Sequence, residues 1–178
     1  MSAKGLRRGG PFARRVGAPF AAAALLLVLS CGSPPPRAPN PTRPLDERRA
    51  VQIILTAFRE EHDRGVTGRS VALALGKSLE VDVSGAGKKY GVAYITANER
   101  HALGEAVPTP EPGMEDALHV VHGVGDDSEA RILVLQDTIY LYDDQVGEEH
   151  EATVVTAENK LERDVRDFIV RAHTEKWP

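Results

Sequence analysis

The sequence predicts one α+β domain across residues 45–178: a mixed or antiparallel sheet of about five to six strands with flanking N-terminal, middle and C-terminal helices. Three observations carry that reading. Apolar residues recur at helical spacing at both ends of the stretch. Between those ends the period falls to two, in short runs rich in β-branched residues. Glycine and proline break the runs at short intervals, and no segment repeats another. The stretch holds 134 residues, an ordinary size for one core without covalent staples.

Leu45 to Arg64 reads as the first helix, because Val51, Ile54, Leu55 and Phe58 follow i, i+3, i+4, i+7, with Ala50 and Ala57 beside them. Asp46 and Glu47 suit its positive start, Arg59 and Arg64 its negative end, and Gly65 its stop. Val71, Leu73 and Leu75 then alternate with smaller residues, and Leu79, Val81 and Val83 alternate with Glu80, Asp82 and Ser84. Gly76-Lys77-Ser78 fits a turn between these two strands, and Gly85-Ala86-Gly87 a turn after them. Tyr90 to Thr96 is the next strand. Thr96 with Glu99 three residues on is a capping-box pattern, opening a short helix to about Ala106. Pro108, Pro110 and Pro112 impose a loop. Leu118 to Val124 reads as a strand from its valines and the flanking glycines. Arg131–Gln136 and Ile139–Asp143 read as a hairpin around Asp137-Thr138, and Ala152–Thr156 as a further short strand. Leu161, Val165, Phe168, Ile169 and Ala172 recur at i, i+4, i+7, i+8, i+11 and form the final helix.

Residues 1–44 follow other rules. Lys4, Arg7, Arg8, Arg14 and Arg15 precede an apolar run that ends Val28-Leu29-Ser30-Cys31, and no acidic residue occurs before Asp46. A basic start, a short apolar core and a small residue before cysteine describe a cleavable export signal. A membrane span needs about 20 apolar residues, twice the run from Phe20 to Leu29, and the Gly17-Ala18-Pro19 break prevents its extension upstream. The stretch resembles the signal of bacterial lipoproteins, with Val28, Leu29, Ser30 and Cys31 in the lipobox places and Leu29 bulkier than is usual there. The resemblance implies cleavage between Ser30 and Cys31 and lipidation of Cys31 by acyl chains such as palmitate. Gly32, in place of a retaining aspartate, then favours the outer membrane. Plain secretion with Cys31 as a thiol is the alternative. The expected organisation is a signal peptide at 1–30, acylated Cys31 with a Pro-rich tether at 31–44, and the domain at 45–178. Six prolines among residues 32–44 favour polyproline II. At about 3.1 Å per residue such a tether reaches roughly 40 Å.

Cys31 is the one cysteine, so no disulfide joins the domain internally. Residues 1–30 hold five basic side chains and no acidic one, which leaves 17 Lys+Arg against 26 Asp+Glu after cleavage, net −9. That sign argues against nucleic acid as a partner.

The candidate chemistries are weak motifs. His119 and His122, followed by Asp126 and Asp127, are metal-ligand types, but on a strand a spacing of three puts the two imidazoles on opposite faces. Asp143 and Asp144, with Glu148, Glu149 and Glu151, could offer oxygens to Ca²⁺ or Mg²⁺, yet without the alternating spacing of a calcium loop. Glu158-Asn159-Lys160 is an E-x-K with Asp144 upstream, and separately Asp82 lies on the second of three strands between two helices. Together these resemble the PD-(D/E)XK nucleases. Ala93-Tyr94-Ile95 stands where that motif needs its E-x-K, so the resemblance implies at most a catalytically inactive relative. No serine sits in a nucleophile elbow, and Gly85-x-Gly87 lacks the helix that phosphate binding requires. Tyr90, Tyr94, Tyr140 and Tyr142 fall on predicted strands at even spacing, either as a half-buried sheet face or as an aromatic recognition surface. Trp177 reads as a terminal packing anchor.

The sequence therefore favours a lipid-anchored binding or scaffolding module facing the periplasm, with an envelope protein as partner, no cofactor and no catalytic residue. The rival is an envelope hydrolase using acidic residues around Asp143. A hydrolase calls for a concave pocket of carboxylates with a perturbed acid. A binding module calls for an exposed apolar or tyrosine-bearing patch of several hundred Å².

Overall fold

The computed structural model describes residues 42–107, 117–143 and 152–178. The chain enters along Arg43–Pro44 (β1) and forms a helix at Glu47–Glu60 (α1). Asp46 caps α1, its carboxylate accepting the N–H groups of Arg48 at 3.0 Å and Arg49 at 3.3 Å. Ala50, Ile54, Ala57 and Phe58 form its buried stripe. The helix stops before the glycine that the sequence suggested. His62 takes the left-handed turn at φ 65°, and Asp63 N–H reaches back to the Phe58 carbonyl at 2.8 Å.

The strands that follow are Gly65–Val66 (β2), Arg69–Ala72 (β3), Ser78–Val81 (β4), Val83–Gly85 (β5) and Tyr90–Ile95 (β6). A second helix, Ala97–Leu103 (α2), keeps both halves of its capping box, Thr96 and Glu99 satisfying each other's main-chain N–H. Val120–His122 (β7), Arg131–Gln136 (β8), Leu141–Tyr142 (β9) and the helix Val154–Thr174 (α3) complete the described chain. The central sheet is mixed, in the order β2-β5-β6-β8-β7, with β6 and β8 parallel and the other pairs antiparallel. β3 and β4 make a separate hairpin, and β1 pairs with β9. An α+β domain with a five-stranded mixed sheet is what the pattern predicted.

Core residues lie on both faces of the sheet. Val92, Tyr94, Leu133 and Leu135 meet Ile54 and Phe58 of α1 and Leu161, Val165 and Phe168 of α3. On the opposite face Ala93, Ile95, Ile132 and Val134 meet Val71, Leu79 and Val81 of the hairpin and Leu103 of α2. The hairpin lies so close that a Cβ on Gly91 would stand 2.7 Å from the Val81 side chain and 2.8 Å from the Val83 carbonyl. Each fully buried Phe or Leu contributes about 1.5–3 kcal/mol. The chain also folds back after α3: Trp177 packs on Phe168 with ring centres 5.6 Å apart, and Lys89 N–H donates to the Pro178 carbonyl at 2.6 Å.

Three expectations are corrected. The run 79–83 is two strands, because the chain leaves the hairpin at Asp82 to join the central sheet. Residues 131–143 are no hairpin: Asp137–Ile139 is a single 3-10 turn that carries the chain away from β8, and β9 takes the tether end, Pro44 opposite Leu141, as its partner. Residues 152–156 are no strand. The Thr153 hydroxyl accepts the Thr156 N–H at 3.1 Å and caps α3, so Val154 and Val155 open the helix instead.

Candidate functional site: a carboxylate-lined cleft

The break at Asp82 has a simple cause. The Asp82 carboxylate accepts the Tyr94 N–H at 2.7 Å, so a side chain takes the hydrogen bond a strand would have taken. Beyond that point Leu79 and Val81 face the core while Ser78 and Glu80 face outward. Glu47 comes from the first turn of α1 and Glu99 from the third residue of α2. With Tyr94 and Ile95 at the end of β6, these elements enclose a cleft of about 240 Å³ lined by the carboxylates of Glu47, Glu80, Asp82 and Glu99.

Among the described residues that line it, none carries a positive charge. Lys77, next to the lining Ser78, donates its ammonium to the Ala102 carbonyl at 2.9 Å. Glu99 is occupied on one oxygen, which accepts from the Thr96 N–H and hydroxyl, both at 2.8 Å. Burial pushes the Asp82 carboxyl above the ordinary aspartate range, and the charges of Glu47 and Glu99 push the same way against the pull of the Tyr94 N–H. Such a cleft can hold a cation, or share a proton between a neutral Asp82 and a bound group.

The residues singled out from sequence fall elsewhere. Asp143 ends β9 half-buried, its N–H bonded to the Ala152 carbonyl at 2.9 Å. Asp144, Glu148, Glu149 and Glu151 lie outside the described residues, as do Ser30 and Cys31. His119 is half-buried opposite Val134, with a buried Nε2 that has no partner, whereas His122 is exposed opposite Arg131. Their spacing of three separates them across the strand. Among the described residues no group of three or more His, Cys, Asp and Glu side chains is placed to hold a metal ion. Glu158 and Lys160 stand on a helix, and Glu158 pairs with Arg49 at 2.7 Å, so no E-x-K strand faces Asp82.

Three of the four tyrosines are core residues, while Tyr142 is half-buried under the Arg43 guanidinium. Tyr90, Tyr94 and Tyr140 are 1%, 3% and 2% exposed, which excludes them from a recognition surface. Tyr90 donates to Asp63 Oδ2 at 2.5 Å, and His173 Nε2 lies 3.0 Å from the same oxygen and 3.2 Å from the phenol. Tyr94 donates to the Leu45 carbonyl at 3.0 Å, and Tyr140 to Asp164 Oδ2 at 2.9 Å. Burial above all raises each of these phenols past the usual tyrosine range.

The sequence pointed to Asp82, but it assigned Glu47 to the start of α1, Glu99 to a capping box and Glu80 to the strand alternation. Only the crossing of the hairpin over the sheet brings the four together. Among the described residues no helix is long and apolar enough to cross a membrane. No protein-family model, no curated protein and no solved structure matches the chain.

Proposed function

We propose that the protein is an exported lipoprotein, acylated on Cys31 and held at the periplasmic face of the outer membrane, and that its domain is a binding module for an envelope partner. The observation that carries the anchoring is the order of residues 4–31: five basic side chains, a short apolar run and Ser30-Cys31. Each buried CH₂ contributes about 0.8 kcal/mol, and two or more chains hold a protein stably. The cleft supports the binding reading, because unneutralised carboxylates favour an ammonium or guanidinium group from a partner. Cys31→Ala is expected to abolish incorporation of labelled palmitate and release the protein from the membrane fraction. Undiminished membrane association would remove the anchor from this reading.

One observation favours the hydrolase reading, now moved from Asp143 to the cleft: the raised acid at Asp82 inside a concave site. Against it, no lining side chain offers a cation to developing negative charge. Glycan strands incubated with the wild-type chain and with Asp82→Asn separate the two classes. Turnover that the substitution abolishes establishes the enzyme.

A further inference from the structure

Positive charge gathers at the other end of β6 from the cleft. Arg59, His62 and Arg64 line an open depression of about 550 Å³, with Leu55, Asp63 and Gly65. Gly65 pairs with Gly85, and the Arg64 carbonyl accepts the Ala86 N–H at 2.8 Å, so the turn bearing Lys88 and Lys89 adjoins this depression. The carboxylates nearby are already engaged. Glu60 and Glu61 face Arg166 at 3.7 and 2.8 Å, Glu175 holds Arg171 at 2.7 Å, and Asp127 holds Arg69 at 3.4 Å. Asp63 lines the depression, but its Oδ2 accepts from Tyr90 and lies against His173. Among the described residues Arg59, Arg64 and Lys88 have no ion-pair partner, in a chain whose net charge is −4 before cleavage.

We infer that this distal depression binds an anionic polysaccharide, a sugar chain carrying carboxylate or phosphate groups. Guanidinium forks match both groups bidentately, and the β2–β5 pairing holds Arg64 and the Lys88 turn side by side against their repulsion. A protein interface would need an apolar or aromatic centre, and here Leu55 is the one large apolar side chain of the lining. Nucleic acid is charged densely along its whole length, and the acidic remainder of the domain repels such a polymer. A sparsely charged glycan can meet the cationic depression alone. This site goes beyond the reading of the cleft and does not depend on acylation.

The test uses the full chain in detergent with three fluorescent probes: hyaluronan, with one carboxylate per two sugars, a phosphorylated mannan for phosphate, and neutral dextran. One or both anionic glycans are expected to bind at low salt, more weakly as salt rises, and dextran is expected not to bind. Arg59→Glu with Arg64→Glu is expected to lower affinity at least tenfold with the melting temperature unchanged, and Lys88→Glu alone to lower it measurably. Arg171→Gln, outside the depression, is expected to bind as wild type. Absence of anionic-glycan binding, equal binding by both charge-reversed proteins, or stronger competition by a single-stranded oligonucleotide than by either glycan overturns the assignment. Binding is read without membranes, so its failure is distinct from any failure of the Cys31 experiment.

Discussion

Tyr90 and Tyr94 stand four residues apart on the same strand and the same face, both buried, yet their hydroxyls are satisfied by different means. Tyr90 donates to a carboxylate that also faces His173. Tyr94 donates to the neutral carbonyl of Leu45, where the chain before α1 enters the core. One end of β6 is thus tied by polar side chains, the Asp63 carboxylate from α1's exit and the His173 imidazole from α3, the other by main chain from the segment before α1. The difference teaches what each end can tolerate. A hydrogen bond to an ionised acceptor is worth about 1.5–3 kcal/mol and one to a neutral acceptor about 0.5–1.5 kcal/mol.

The largest expected effect follows from removing the shared acceptor. Asp63→Ala leaves the buried Tyr90 phenol without its carboxylate and is expected to cost about 2–3 kcal/mol in urea denaturation. A loss below about 0.5 kcal/mol would show that the charged end carries no such burden. Tyr94→Phe should cost less, about 0.5–1.5 kcal/mol, with faster amide exchange at Leu45. A larger cost than that of Asp63→Ala inverts the comparison.

The smallest effect concerns Asp82, beside the Tyr94 end. Its carboxyl is raised in the fold, so the native state holds the proton more tightly than the unfolded chain. Its stabilising contribution is therefore fully present below the unfolded value, about 3.9. It is lost as pH rises through the raised one. Asp82→Asn keeps an oxygen for the Tyr94 N–H and cannot ionise. Its stability relative to wild type should rise across that window and then level off in thermal melts. A difference constant with pH would mean that burial does not perturb this carboxyl.

The features readable in the sequence are those set by neighbours in the chain. The Ala50–Phe58 stripe, the alternation through β6, the Thr96–Glu99 box and the Leu161–Ala172 stripe all depend on residues within a few positions. Pairing was less legible. Leu141 and Tyr142 alternate in the same way whether they meet β8 or β1, and the choice rests on a turn at Asp137 and a partner about a hundred residues upstream. Val154 and Val155 carry strand propensity, but the Thr153 cap and the inward Ala157 and Leu161 override it. Both proposed sites were hidden for one reason: each is assembled from charges that look like solvated faces until tertiary contacts remove or withhold their partners. Net acidity, in particular, conceals the cationic end.

The short ladder between β1 and β9 also decides how the domain answers a pull. Arg43 and Pro44 pair with Tyr142 and Leu141, the Arg43 guanidinium sits 5.0 Å from the Tyr142 ring centre, and Leu45 behind them is 3% exposed. A pull on the chain ahead of Arg43 meets these two residue pairs before it meets the core. Peeling them frees about 7 Å of chain, at about 3.3–3.6 Å per extended residue. Further extension must then draw Leu45 from its pocket and away from the Tyr94 hydroxyl. The entry strand acts as a mechanical fuse, yielding a little slack before load reaches α1.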